Sequence, residues 1–287
     1  MDQFLNQVIN SLNVGSIYAL IALGYTMVYG IVRLINFAHG EILMIGAFVG
    51  YFLAVTFNMS LIPLLILSMI ACAVIGMIID RLAYKPLRNA PRISALITAL
   101  GMSMFLSNFF KWQFGASDKI MPEVNLIGNV PMPNITFITV FITVICMVGL
   151  EFVVKKTKVG KAMRAVSEDK GAAKLMGINV DRTISLTFAI GSALGAVGGV
   201  LYAVNYGNLE PYMGTMPGLK AFVAAVLGGI GILPGAMVGG FAIGIIETFV
   251  KGYISSAWAN VFVFGILIIV LLVKPTGLFG KNIKEKV

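Results

Sequence analysis

The chain has 287 residues, of which 59% are apolar and only 11% are Asp, Glu, Lys or Arg, against about 25% charged in an ordinary soluble domain. So few charges cannot clothe a soluble 30.7 kDa protein, and the mean hydropathy of +0.94 sets a soluble monomer aside in favour of an integral membrane protein. The net charge of +9 fits either nucleic-acid binding or loops sorted by the positive-inside rule, and the positions of the charges decide between them.

Apolar runs follow one another at about 8–31, 40–57, 61–79, 93–110, 135–154, 183–204, 218–230, 234–250 and 258–273. Most reach the length that crosses hydrocarbon as a helix, roughly 20 residues. Ahead of the first run, Asp2, Asn6, Asn10 and Asn13 occur without any Lys or Arg. The charged start of a cleavable signal is therefore missing, and a retained first helix is expected. The run 218–230 is short and runs into Gly228-Gly229-Ile230-Gly231-Ile232-Leu233-Pro234-Gly235, which is poor helix. It predicts a half-helix that turns back, buried against its neighbours. No linker divides the chain, so the expected fold is all-α: one polytopic membrane helix bundle over 1–287, with about eight or nine hydrophobic segments and a cytoplasmic loop at 155–182. The stretches 40–50 and 235–244, each Gly-spaced and following a break, are weakly similar, which fits either an internal repeat of the kind transporters contain or chance spacing among 32 glycines.

With the N-terminus outside and every run crossing, all 21 basic residues except Lys111, Lys119, Lys220 and Lys251 fall inside. Arg33, Arg81, Lys85, Arg88 and Arg92 lie there, with Lys274, Lys281, Lys284 and Lys286 at the C-terminal end. The densest group is Lys155, Lys156, Lys158, Lys161, Arg164, Lys170, Lys174 and Arg182. Membrane topology thus accounts for the positive charge, and no basic patch is left for nucleic acid.

Polar residues at membrane depth are few. The segment 33–41 interrupts two apolar runs and holds Asn36, the only histidine, His39, and Glu41. His39 reads either as a proton relay or substrate contact, or as a turn residue bonding backbone groups freed at the break. Asn36 and Glu41 suit helix ends. Glu247 reads either as one half of a structural ion pair with a basic residue such as Lys251, four positions on, or as a substrate site. Lys220 and Glu151, near run ends, are expected to reach the interface. Gly191, Gly195 and Gly199, four apart, predict close helix packing, either at a subunit or gating seam or within the chain. Gly46 and Gly50, Gly235 and Gly239, and Gly240 and Gly244 repeat the spacing. Cys72 and Cys146 lie within apolar runs and offer neither metal spacing nor a disulfide framework.

The inside loop carries a helix of its own. Ser167 is the expected cap, Glu168 and Asp169 the acidic first turn, and Lys170, Ala172, Ala173, Lys174, Leu175 and Met176 the body, with Gly177 as the stop. Its small apolar stripe, Ala172, Leu175 and Met176, fits docking to another protein or lying on lipid headgroups.

Three stretches carry a resemblance: YALIALGYTMVYG at 18–30 running into NFAHGE at 36–41, GKAMRAVSEDKGAAKLMGIN at 160–179, and LGGIGILPGA at 227–236. Together they make the chain resemble, over nearly its full length, the permease subunits of branched-chain amino acid ABC importers, the LivH/LivM family. The family implies a pore-forming subunit in a bacterial plasma membrane, C-terminus in the cytoplasm. It implies two ATP-binding partners, a second homologous permease, and an extracytoplasmic solute-binding protein. ATP and Mg would be bound by the partners, since no GxxxxGK[ST] phosphate loop occurs here. In the wider family a cytoplasmic Glu-Ala-Ala, three residues, then Gly forms the helix that docks on the ATPase. Here Ala172, Ala173 and Gly177 match, while Gly171 stands in place of the Glu and the downstream Ile-x-Leu-Pro is missing. The resemblance therefore implies that 167–177 is the ATPase-coupling helix. Asn36, His39 and Glu41 are the candidate translocation-path residues, and no catalytic or metal-binding residue is expected. An importer of urea, amides or another amino acid on the same scaffold is the alternative. An ion-coupled secondary transporter and a simple channel are weaker ones, the first disfavoured by the scarcity of intramembrane carboxylates.

Overall fold

The computed structural model describes residues 2–280 except 33, 89, 129 and 133, and gives the backbone alone for Asp2 and Arg92. Arg33, Lys281, Lys284 and Lys286, assigned above to the inner side, lie outside the described residues.

Eleven helices follow in order among these residues: α1 (Asp2–Val32), α2 (His39–Phe57), α3 (Leu61–Ile79), α4 (Arg92–Phe114), α5 (Ile135–Lys156), α6 (Lys158–Glu168), α7 (Lys170–Leu175), α8 (Val180–Tyr206), α9 (Thr215–Gly228), α10 (Leu233–Tyr253) and α11 (Ser256–Val273). All except α6, α7 and α9 are long and apolar enough to cross a membrane, which makes eight candidate spans. Each covers an apolar run read from the sequence. Most extend it by a few residues, because a helix runs on until a cap stops it. Asn134 accepts from the Thr136 amide, Asn179 from Arg182 and Ser255 from Ala257, each at a helix start. Pro234 opens α10, where its missing N–H costs nothing.

α1 and α8 run through the middle of the bundle and are its most enclosed spans, while α5 and α11 are mostly exposed. α8 touches α1, α2 and α3 along its length. The glycines explain how it does so. Gly191 packs on Gly24 and Val28 of α1, Gly195 on His39 and Ile42 of α2, and Gly199 on the Leu43 carbonyl and Ala47 of α2. All of these contacts lie within the chain. The other pairs behave alike: Gly46 meets Ala196, Gly239 meets Ala224, Gly240 meets Ala19 and Gly244 meets Gly15.

Two helices start inside the bundle rather than at its ends. His39, first residue of α2, lies against Gly24 and Gly195. Gly195 is 15 residues into α8, about 22 Å from its start at 1.5 Å per residue. α2 therefore begins near half-height and crosses α8 obliquely, with Gly46 on Ala196 and Gly50 on Val200. α9 has only 14 residues, about 21 Å, and its N-terminus also lies inside. Gly214 and Gly218 abut Gly40 so closely that a Cβ on any of the three would clash. α9 is the half-helix expected from the run 218–230. Gly229 and Gly231, at φ +106° and +94°, make the break before α10. The chain end closes beneath it: Leu278 and Phe279 amides donate to the Leu227 and Gly228 carbonyls at 2.8 and 3.2 Å, satisfying acceptors that the helix end leaves open.

At one end of the bundle lie the α9–α10 break beside Gly30, the turns after α3, and α6 and α7. At the other end a short antiparallel ribbon pairs Lys119–Ile120 with Asn208–Leu209.

Candidate functional site

The loop 155–182 folds as two helices, not one. Thr157 caps α6, accepting from Gly160 N at 3.1 Å. Gly160, Met163 and Val166 form its buried face. Because that face docks, the chain stays helical through Ser167 and Glu168. Ser167 is therefore not a cap, and its hydroxyl donates back to the Arg164 carbonyl at 2.7 Å. The cap of α7 is Asp169, which accepts from the Gly171 and Ala172 amides at 2.7 and 3.0 Å. Gly177 ends α7 with φ +81°, as expected. Its amide donates to the Lys174 carbonyl and the Ile178 amide to the Ala173 carbonyl, at 3.1 and 3.0 Å. That is a Schellman closure. Ala173 faces inward, whereas Leu175 and Met176 are 90% and 82% exposed. A six-residue helix fixed at both ends thus presents two large apolar side chains.

α7 sits beside a polar cluster. Asp80, fully buried, accepts at both carboxylate oxygens from one Arg88 nitrogen, Nη2, each at 2.8 Å, and at Oδ2 from Ser185 Oγ at 2.5 Å. Arg88 also pairs with Asp181, which Lys85 meets at 3.1 Å. Lys85, Arg88, Lys170, Lys174 and Asp181 line an open cleft of about 690 Å³. Asp80–Tyr84 is a π-helical turn, and Tyr84 Oη donates to Asn36 Oδ1 at 2.6 Å. Sequence reasoning missed Asp80 and Arg88. Their spacing of eight, with Pro86 between them, is not a helical pairing signal.

Asn36, His39 and Glu41 are brought together and buried where α2 starts. The His39 ring packs edge-on against Tyr25, centroids 4.8 Å apart. Neither of its nitrogens makes a hydrogen bond of ordinary geometry, and the Ile21 carbonyl lies beside it. Glu41 Oε1 accepts from Ser103 Oγ of α4 at 3.0 Å and Thr215 Oγ1 of α9 at 3.1 Å.

A second intramembrane cluster joins α1, α9 and α10. Glu247 pairs with Lys251 at 2.5 Å, as the i,i+4 spacing suggests. Lys220 does not reach the interface. Its side chain is 8% exposed and its Nζ lies 2.7 Å from Glu247 Oε1, because α9 is buried and a charge there must find a partner inside. Tyr18 Oη donates to Glu247 Oε2 at 2.7 Å. Glu151 pairs with Lys155. Among the described residues no group of His, Cys, Asp and Glu is placed to hold a metal, and both cysteines are free.

A half-helix, α9, whose N-terminus meets that of the span α2 inside a many-span bundle defines a polytopic membrane protein built as transporters are. Residues 7–272 match the family described as "Branched-chain amino acid transport system / permease component", and the chain belongs to that family. It is 44% identical over 301 residues to the high-affinity branched-chain amino acid transport system permease protein LivH of Escherichia coli, covering 99% of this chain and 98% of that one. It is 42% identical to BraD, the corresponding permease protein of Pseudomonas aeruginosa, with the same coverage. It is 30% identical to the probable LivH of Methanocaldococcus jannaschii, covering 94% of this chain and 90% of that one. No solved structure matches the chain.

Proposed function

We propose that this chain is the pore-forming permease subunit of an ATP-driven importer of branched-chain aliphatic amino acids, working by alternating access. The observation that carries the reading beyond the family is α7, a doubly fixed helix offering Leu175 and Met176 at the end of the bundle that also holds Lys85, Arg88, Lys170 and Lys174. The positive-inside rule puts that end in the cytoplasm and so the N-terminus outside. Two ATP-binding subunits, which hold the ATP and Mg, dock there. ATP-driven closure moves α7 and rocks the spans attached to it. A second homologous permease completes the pore, and an extracytoplasmic binding protein delivers the substrate. Asn36, His39 and Glu41 lie on the translocation path.

The test is uptake in proteoliposomes holding all the subunits. Leucine, isoleucine and valine should enter only with ATP on the α7 side. Ala173→Arg and Leu175→Asp should keep insertion and assembly of the spans and lose ATP-coupled uptake. Uptake by this chain alone on an ion gradient, or unchanged uptake in both variants, would overturn the reading.

A further inference from the structure

We infer that Glu41 is the group that takes the ammonium of a substrate amino acid as it passes half-height of the bundle, an assignment that rests on the import reading above. The buried carboxylates among the described residues are Glu41, Asp80 and Glu247. Asp80 has Arg88 and Glu247 has Lys220 and Lys251. Glu41, 1% exposed, takes part in no ion pair among the described residues. A carboxylate removed from water is expensive without a cation, and two clusters in this same chain supply one from its own side chains. At Glu41 the chain supplies only hydroxyls and helix ends.

The arrangement is that of a receiver for a small cation. Ser103 and Thr215 hold Oε1 from two sides, while Oε2 accepts no hydrogen bond of ordinary geometry. Ser107 adjoins the carboxyl, but its hydroxyl donates to the Ser103 carbonyl at 3.0 Å. Glu41 stands in the first turn of α2, whose positive pole favours a negative group. The N-terminus of α9 meets the same place through Gly40 and Gly214. Both helix ends bring a positive pole near the carboxyl but no full charge. A primary ammonium has three donors on a compact head. It makes charge-assisted bonds about twice as strong as neutral ones, and an aliphatic amino acid carries one. The wall on one side is α4, whose far face, with Leu96, Ile97, Leu100, Met104 and Phe105, is exposed. On that far face α4 leaves these side chains uncovered by its own chain.

The experiment uses the assembled importer in proteoliposomes and dicyclohexylcarbodiimide, a lipid-soluble reagent for carboxyl groups, with modification at residue 41 read by peptide mass mapping. Leucine and 3-methylbutylamine, which carry the ammonium, should protect Glu41. 4-Methylpentanoate, which keeps the side chain and carboxylate of leucine and lacks the ammonium, should not. Glu41→Gln should show no modification there and should lower uptake at limiting leucine by about tenfold to a hundredfold, the loss of one charge-assisted hydrogen bond. Equal protection by leucine and 4-methylpentanoate, protection by neither, or no modification of Glu41 in any condition overturns the assignment. ATP-dependent leucine uptake in the same vesicles separates the two failures. Uptake without selective protection removes the role of Glu41 alone, and absence of uptake removes the import reading with it.

Discussion

Lys220→Met isolates the energetics of the intramembrane charge cluster. The substitution keeps most of the side-chain volume and removes the one buried cation facing Glu247, 2.7 Å away. Breaking a buried pair by deleting one partner costs about 3–5 kcal/mol, since the other charge stays buried. Glu247 keeps the Tyr18 hydrogen bond and Lys251, so the lower end is expected, about 3 kcal/mol, or roughly a hundredfold in the unfolding equilibrium. Lys251 is the internal control. It approaches the same oxygen, but its side chain is 47% exposed, and Lys251→Met should cost less than about 1 kcal/mol. Lys220→Met combined with Glu247→Leu should cost less than the sum of the single changes by about 2 kcal/mol, the signature of direct coupling. The assay is unfolding of the purified chain in mixed micelles by titration with SDS, followed by helical circular dichroism. Equal, sub-kilocalorie effects of Lys220→Met and Lys251→Met would refute the argument that burial decides which lysine matters.

Two glycines should respond with opposite sign in the same assay. Gly101→Ala, where nothing stands within 4 Å of the new Cβ, should gain about 0.5–1 kcal/mol from helix propensity, whereas Gly199→Ala must displace the Leu43 backbone and should lose more than about 2 kcal/mol. Asp169→Ala removes the α7 cap and should cost about 1 kcal/mol locally, read as faster hydrogen exchange at the Gly171 and Ala172 amides. Asp169→Asn should leave that exchange unchanged. Tyr84→Phe deletes the hydrogen bond to Asn36 and should cost about 1 kcal/mol, with faster exchange in the first turn of α2.

The spans were legible because the bilayer imposes them. A segment such as 135–154 must be apolar and long, and the same requirement that writes the pattern also makes it readable. The half-helix was legible for a related reason: Gly229, Gly231 and Pro234 cannot continue a helix. What was hidden depends on partners distant in sequence. Lys220 looked like an interfacial lysine because nothing near it in the chain is acidic. Its partner Glu247 lies 27 residues away, on the helix that α9 packs against only after the break has turned the chain back. The start of α2 at half-height was hidden likewise, since it requires 34–38 to fold inward, where Tyr84 bonds Asn36.

The cap of α7 is the sharper case, because Asp169 reads from the sequence as part of an acidic first turn and Ser167 as the cap. Ser167 and Asp169 are equally good caps by residue type, and local pattern alone favoured Ser167 with its acidic first turn. The choice is made by α6. Burial of Gly160, Met163 and Val166 holds the chain helical beyond Ser167, so the first side chain free to leave helical geometry and turn back on the next amides is Asp169. That amphipathic face was readable once sought, at spacing three within a run of lysines and arginines. The charge density of 155–174 belongs to the surface of the loop and masks in the sequence the three small or apolar residues that fix it. α7 therefore takes its position from a helix whose buried face belongs to the bundle. A force applied at Leu175 and Met176 reaches the spans through α6 as well as through the start of α8. On this reasoning Met163→Ala, which touches no exposed part of α7, should weaken coupling of ATP to uptake as Leu175→Asp does, while leaving the Asp169 cap intact by exchange at Gly171. Full coupling in Met163→Ala would mean that α7 acts on the spans through α8 alone.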